Sequence, residues 1–190
     1  SHLVSSGTLP KSQYCILCLA VGPLSKAKSH LDDTHALCIL ELRAKARRLK
    51  NDVDIDMIIV DYLQLMQGPK GVESRQQEIA TISRSMKALA KELDVPIVAL
   101  SQLSRAVEQR TGSKRPQLSD LRESGAIEQD ADVVLFLFRP WVYSRDEEDE
   151  GKAEIIIAKQ RNGPTGIVEA TYISRYTRFE NLAQNTDAPF

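Results

Sequence analysis

The chain has 190 residues, 42% of them hydrophobic and 27% charged, which is the composition of a globular protein rather than a disordered or fibrous one. Its 25 basic and 26 acidic residues give a net charge of −1, so any contact with nucleic acid must use a local patch. No apolar run approaches the roughly 18 residues of a membrane-spanning helix, and no signal-peptide pattern opens the sequence. Three Cys are too few for a disulfide framework, so a reducing, cytoplasmic setting without a membrane is expected.

The sequence divides into three parts of different character. Residues 1–35 show no clear helix or strand period and are predicted to be a poorly defined N-terminal segment, with a strand before Asp32 as one option. Residues 36–182 carry the regular patterns of one domain. Residues 183–190 are predicted to be a frayed tail.

The central part alternates between helix and strand patterns. Amphipathic helices are predicted at 36–50, after an N-cap at Ser74, and at 119–129. Short apolar runs, typical of strands covered on both faces, lie at 57–60, 97–100 and 133–138. Repeated alternation of this kind predicts an α/β fold with a parallel sheet flanked by helices.

The last two predicted strands follow a different pattern. Residues 154–158 and 167–173 are separated by a turn that contains Asn162 and Gly163. This turn predicts an antiparallel hairpin at the C-terminal end of a mostly parallel sheet.

Asp61 and Gln102 follow the first two predicted strands. Ligands of open parallel sheets lie beyond the carboxyl ends of the strands, so both side chains should face one site. A carboxylate there can hold Mg²⁺ for nucleotide phosphates. A glutamine can form hydrogen bonds that respond to a γ-phosphate or to a positioned water. Plainer interpretations remain: Asp61 turns the chain after a strand, and Gln102 is a surface residue.

Lys159 and Arg161 precede the hairpin turn. Because they are two residues apart on a strand, both should project from one face. Two cations suit a phosphate, including one bound to a neighbouring subunit, although a polar hairpin end has the same pattern. We expect the carboxylate, the amide and the two cations to lie along a single edge of the sheet, around a triphosphate shared between subunits.

A basic, turn-rich region is a candidate track for a nucleic-acid backbone. Its cations are Arg110, Lys114, Arg115 and Arg122. No aromatic residue is interleaved, so base stacking is not indicated. A solvated basic loop is the alternative.

Cys15, Cys18, His30 and His35 come close to the spacing of a zinc finger. Pro23, however, interrupts the place where the finger helix should run, and the two Cys lie among apolar residues, as buried small hydrophobes do. A small zinc-dependent DNA-binding protein is therefore an alternative that metal analysis can test.

Four motifs, in order, resemble those of the DnaB family of bacterial replicative DNA helicases. The motifs lie at 58–66, 99–105, 119–125 and 159–164. Around them, the resemblance extends over residues 32–182. The resemblance implies a RecA-like motor domain that uses ATP and Mg²⁺. It also implies single-stranded DNA, a homo-hexamer, a primase and a helicase loader as partners.

The resemblance implies a role for each candidate residue. Asp61 corresponds to the Walker B acid that holds Mg²⁺ through water, and Gln102 to the glutamine that couples nucleotide state to the DNA-binding loops. Lys159 and Arg161 correspond to the cations that reach the ATP site of the neighbouring subunit. The loop that grips single-stranded DNA corresponds to Arg122, Glu123 and Gly125.

Two features of the family are missing from the sequence. It contains no G-x-x-x-x-G-K-[ST] phosphate loop and no counterpart of the family's catalytic glutamate. The sequence therefore predicts the C-terminal portion of a helicase motor, which couples ATP hydrolysis to translocation on single-stranded DNA in replication but hydrolyses hardly any ATP alone. A catalytically inactive remnant, or a binding module that associates with a helicase ring, is the alternative.

Overall fold

A computed structural model of the chain describes residues 10–69, 71 and 74–182, and of 11–13 and 122–124 the backbone only. The chain forms two compact units, 1–34 and 35–190. The predicted tail at 183–190 lies outside the described residues.

The described residues of the first unit form one helix, at a place where the sequence predicts no regular element. This helix, α1 (Lys11–Lys26), includes Pro23 in its last turn, and Ala27 after it is extended. Cys15 and Cys18 lie on α1 and are exposed, so the prediction that they are buried is wrong. The described residues of this unit contain no strand, so the strand proposed before Asp32 is not formed.

The second unit begins with two helices and a parallel strand pair. The elements are α2 (Ile39–Val53), β1 (Ile58–Val60), α3 (Arg75–Leu93) and β2 (Ile97–Ala99). The pair is in register from Ile58 opposite Ile97 to Val60 opposite Ala99. The predicted N-cap of α3 is confirmed, because Ser74 Oγ accepts a hydrogen bond from the Gln77 N–H at 3.3 Å.

The main core lies between α2, α3 and the parallel pair. Its buried members include Ile39, Leu42, Ile82, Met86 and Leu89. Burying one such side chain stabilises the fold by roughly 1.5–3 kcal/mol. This core holds α3 against the strands, so residues at either end of α3 have fixed positions.

The rest of the second unit is built around an antiparallel sheet. After α4 (Ala106–Gln109) and a 3₁₀ segment at Leu118–Ser124 come α5 (Gly125–Asp130), β3 (Val133–Phe138), α6 (Trp141–Ser144), β4 (Lys152–Gln160), β5 (Gly166–Ile173) and β6 (Arg178–Asn181). These four strands pair in chain order, each antiparallel to the next.

The pairing of β3 corrects the predicted topology. The strand forms at the predicted residues, but it pairs antiparallel with β4 instead of joining the parallel pair. Within the described residues, only β1 and β2 are parallel, so the sheet is not mostly parallel. The polar strand β6 was not predicted; Phe179 on it packs edge-on against Tyr172 of β5, with ring centroids 5.0 Å apart.

The two faces of β3 differ in solvent exposure. Phe136 and its neighbours two residues away are buried, whereas Val133, Leu135 and Leu137 are about half exposed. The continuous apolar sequence predicts cover on both faces, and the described elements supply it on one face only.

Candidate functional site

Asp61 lies directly after β1 with an exposed side chain. Among the described residues, no hydrogen bond or ion pair engages its carboxylate. An uncommitted carboxylate at the carboxyl end of a parallel strand is available to a cation or a polar ligand.

Gln102 lies three residues beyond β2, at the same end of the parallel pair as Asp61. The structure thus brings these two predicted residues to one edge. An open surface depression next to them is lined by Tyr62, Leu100, Ser101 and Gln102.

Gln64, which the sequence alone does not single out, joins the two strand ends. Its Nε2 donates to Ser101 Oγ at 3.0 Å and to the Gln102 carbonyl at 3.2 Å. Its Oε1 accepts from the Gln102 N–H at 3.2 Å. Gln64 lies four residues after β1, in a 3₁₀ segment at Leu63–Leu65, and its contacts with residues 37 and 38 positions away have no local signature in the sequence.

The first turn of α3 fixes the segment after β1. Arg75 donates to the carbonyls of Gln64 at 2.6 Å and Met66 at 3.2 Å. The Gly68 N–H donates to Glu78 Oε1 at 2.7 Å, and Arg75 pairs with the same carboxylate. These two contacts, the Gly68 hydrogen bond first, hold the pKa of Glu78 below its ordinary range.

Lys159 and Arg161 both reach the C-terminal end of α5. The Lys159 ammonium donates to the carbonyls of Glu128 and, at 3.3 Å, Gln129. Arg161 donates to the Gln129 carbonyl at 2.7 Å, and its Nε lies 3.2 Å from Asp132. The expectation that both cations project from one face agrees with this geometry, and the contacts satisfy carbonyls that a helix end leaves without intrahelical partners.

Asp132 links this end of the sheet to α3. Its carboxylate pairs with Lys87 and with Arg161. The hydrogen bond from Lys87 and the charges of Lys87, Arg161 and Lys91 hold the pKa of Asp132 below its ordinary range.

The two predicted groups attach to different parts of α3. Arg75, next to the Gln64 segment, and Lys87, next to Asp132, are twelve residues apart on that helix. At 1.5 Å per residue their backbones are about 18 Å apart. The expected edge, with Asp61, Gln102 and the two cations around a triphosphate shared between subunits, involves a neighbouring subunit and stays a prediction. Arg75 contacts the segment that follows Asp61, whereas Lys87, further along α3, contacts Asp132, the partner of Arg161.

The predicted DNA-binding loop is described in part. The side chains of Arg122 and Glu123 lie outside the described residues. Gly125, the first residue of α5, is exposed, and a Cβ added there would meet no atom within 4 Å. Its surface is therefore open to close approach by another molecule.

Most of the basic, turn-rich region is engaged internally. Arg110 pairs with Asp120, which is buried and also accepts from the Gln117 N–H at 2.7 Å. Arg115 binds Glu154 through two hydrogen bonds of 2.6 and 2.8 Å. Because the partner carboxylates Asp120 and Glu154 are only 5% and 12% exposed, separating these pairs would leave buried charges unpaired, and the two cations are poor candidates for a phosphate track.

The zinc alternative has no support in the described part of the chain. No group of three or more His, Cys, Asp or Glu residues that could hold a metal occurs among the residues that the structure describes. In the same part of the chain, no helix combines the length and the apolar character that a membrane crossing requires.

Comparison with solved structures identifies the class of protein. A DnaB-like replicative helicase, solved in a study of its interactions with primase, superposes with a TM-score of 0.85 at 41% identity, over 92% of this chain and 42% of that one. A second solved structure, an ATPase domain, gives a TM-score of 0.87 at 40% identity, over 94% and 63%. The α/β fold is therefore that of a replicative-helicase ATPase domain.

The sequence comparisons give the family. The replicative DNA helicase DnaB of Geobacillus stearothermophilus is 52% identical over 183 residues, which are 96% of this chain and 40% of that protein. The family model of the DnaB-like helicase C terminal domain matches residues 1–181. The chain belongs to the DnaB-like helicase C-terminal domain family. It spans about two fifths of the length of the curated relatives that it matches.

Proposed function

We propose that this chain is part of the motor of a replicative DNA helicase, which couples ATP hydrolysis to movement along single-stranded DNA. The observation that carries this proposal is the uncommitted Asp61 carboxylate beside Gln102, at the carboxyl ends of two parallel strands in a domain of this family. Nucleotides bind at that edge in open α/β sheets.

Asp61 is proposed to hold the Mg²⁺ of ATP through water. Mg²⁺ keeps several waters and is commonly held by one or two carboxylates together with substrate phosphates, so a single exposed Asp fits a site that a nucleotide completes. The metal, when bound, neutralises charge on the phosphates. Gln102, whose side-chain amide has no hydrogen-bond partner among the described residues, is proposed to respond to the nucleotide and to transmit its state to the DNA-binding loop.

Lys159 and Arg161 are proposed to act on the ATP of a neighbouring subunit. Within the chain, Arg161 pairs with Asp132, whose side chain is 58% exposed, and Asp132 contacts α3 twelve residues away from Arg75, which contacts the segment after Asp61; this arrangement supports action in trans. An arginine supplied in this way contributes roughly 10³–10⁵ in rate. This role requires a ring, and the proposed assembly is a homo-hexamer in the bacterial cytoplasm.

Single-stranded DNA is proposed to bind the loop formed by Arg122, Glu123 and Gly125. The exposed, unobstructed Gly125 supports close approach of a DNA backbone. A primase and a helicase loader are the proposed protein partners; support for the first comes from the DnaB-like relative that was solved in a study of its interactions with primase.

The test is a chimera in which this chain replaces the matching part of the Geobacillus stearothermophilus helicase. We expect DNA-stimulated ATPase from the chimera and hardly any from the 190-residue chain alone, because the sequence lacks a phosphate loop. Asp61→Asn in the chimera is the control that should abolish turnover. An assembled chimera without ATPase activity, or equal turnover by the isolated chain, contradicts the proposal.

A second candidate is a binding module that associates with a helicase ring without hydrolysing ATP. The 190-residue sequence contains no G-x-x-x-x-G-K-[ST] loop, which is compatible with such a module. Size-exclusion chromatography of the chain mixed with an intact helicase separates the two functions: co-elution together with an inactive chimera supports the module.

A further inference from the structure

Gln64 occupies the space between the two strand ends that carry the proposed nucleotide residues. Its side-chain amide makes three hydrogen bonds, of 3.0, 3.2 and 3.2 Å, to Ser101 and to the backbone of Gln102. Asp61 is three residues before Gln64 on the same segment. One side chain therefore joins the segment of Asp61 to the segment of Gln102.

Gln64 itself is held in place. Its carbonyl accepts from Arg75 at 2.6 Å, and the preceding residue, Leu63, donates its N–H to the Leu100 carbonyl at 2.9 Å. Gln64 is also partly buried. A fixed backbone loses little further entropy when the side chain binds, so the amide is a firm link rather than a transient contact.

The contact needs an amide of this length. Nε2 donates to an oxygen on each of two residues, while Oε1 accepts from an N–H. Only Asn and Gln carry two N–H donors on one nitrogen together with a carbonyl acceptor in a single planar group. Glutamate keeps the acceptor but places a second oxygen against the Gln102 carbonyl. Methionine keeps the length of the side chain and provides neither function.

We propose that Gln64 is a positioning residue that sets the place of Gln102 relative to Asp61. A displacement at the nucleotide end of β1 then moves the backbone of Gln102, and with it the side-chain amide that reports the nucleotide state. This inference rests on the proposed roles of Asp61 and Gln102.

Backbone amide exchange in the 190-residue chain tests the link directly. We expect Gln64→Met to raise the exchange rate of the Gln102 amide about tenfold, since its hydrogen-bond acceptor is removed. The Leu100 amide, which donates to the Val60 carbonyl at 2.9 Å, should exchange as before. Gln76→Met, at an exposed position on α3, is the matched control and should change neither amide. Unchanged exchange at Gln102, or an equal rise at Leu100, overturns the proposal.

Gln64→Glu keeps the test decisive if the methionine variant does not fold. It retains an acceptor for the Gln102 N–H, so the Gln102 amide should stay within about twofold of the parent. Loss of protection as large as that expected for Gln64→Met contradicts the assigned geometry.

The chimera distinguishes positioning from a merely structural role. We expect Gln64→Met to lower kcat in the presence of single-stranded DNA about tenfold while KM for ATP changes by less than about twofold, because Asp61 is untouched. Gln64→Glu should retain more of the DNA-stimulated ATPase activity than Gln64→Met does. If Gln64→Met lowers kcat but also changes KM for ATP and lowers Tm to a similar degree, the role is structural and the positioning proposal is overturned. A parent chimera without ATPase activity contradicts the proposed function instead, and amide exchange still decides the link.

Discussion

The ammonium of Lys159 lies 3.3 Å from the carbonyl oxygen of Gln129 at the end of α5. It also donates to the Glu128 carbonyl, so one side chain satisfies two helix-end acceptors. The proposed phosphate-binding cation therefore also has a role in the fold.

Lys159→Met should lower the free energy of unfolding by about 1–3 kcal/mol, because the partly buried Glu128 carbonyl loses its donor. Urea denaturation of the isolated chain measures the change. Lys152→Met is the control: Lys152 is 58% exposed and pairs with Asp149 at the surface, so its loss should cost less than about 0.5 kcal/mol. Equal effects of the two substitutions would refute the capping role.

Arg161 and Asp61 should complement each other between subunits. In the chimera, Arg161→Ala and Asp61→Asn should each abolish most ATP turnover, by about 10³-fold for the arginine. Mixed rings of the two variants should recover part of it, because some sites then combine an intact Asp61 with an intact Arg161 from the neighbour. ATPase titration at fixed total protein measures the recovery. Turnover that never exceeds the sum of the two inactive parents is inconsistent with action in trans.

Arg122 should contribute to the salt dependence of DNA binding. Each phosphate neutralised on a single strand adds about 0.7 to the slope of log affinity against log salt concentration. We therefore expect Arg122→Ala in the chimera to reduce this slope by about 0.7, as measured by fluorescence anisotropy with labelled single-stranded DNA. Arg115→Ala should leave the slope unchanged, because Arg115 is bound to Glu154. If Arg115→Ala reduces the slope and Arg122→Ala does not, the DNA-binding site lies on the basic, turn-rich region instead.

Because of Glu78, the free energy of unfolding of the chain should decrease at low pH. Its pKa is lower in the folded state than in the unfolded chain, mainly through the Gly68 N–H and then Arg75. The resulting stabilisation is complete above the ordinary carboxylate pKa and is lost as the pH falls through the lowered value. Urea denaturation at a series of pH values from about 6 downwards measures this decline.

Glu78→Gln should reduce that pH dependence, because the neutral amide does not titrate, while the part due to Asp132, whose pKa is also lowered, should remain. Glu41→Gln, which removes a carboxylate from a surface pair with Lys45 on α2, is the matched control and should keep the parental slope. If Glu78→Gln retains the full slope, other carboxylates account for it.

Much of the secondary structure and the candidate strand ends follow from local sequence. The Ser74 cap, the buried stripe of α3 and the apolar runs of β1 and β2 are determined by neighbours within one or two turns or by alternation along a few residues. The positions of Asp61 and Gln102 could be predicted for the same reason: each follows an apolar run whose end is visible in the sequence.

The tertiary structure decided what depends on partners far along the chain. An apolar run such as Val133–Phe138 does not encode whether its neighbour runs parallel or antiparallel, because both ladders bury the same side chains. In the sequence, Arg110 and Arg115 look like DNA-binding cations. What distinguishes them is their carboxylate partners, Asp120 and Glu154, and Glu154 lies 39 residues from Arg115. The Gln64 bridge and the contacts of Asp132 with Lys87 and Arg161 arise in the same way, because hydrogen bonds and ion pairs between distant residues exist only after the core has fixed α3 against the strands.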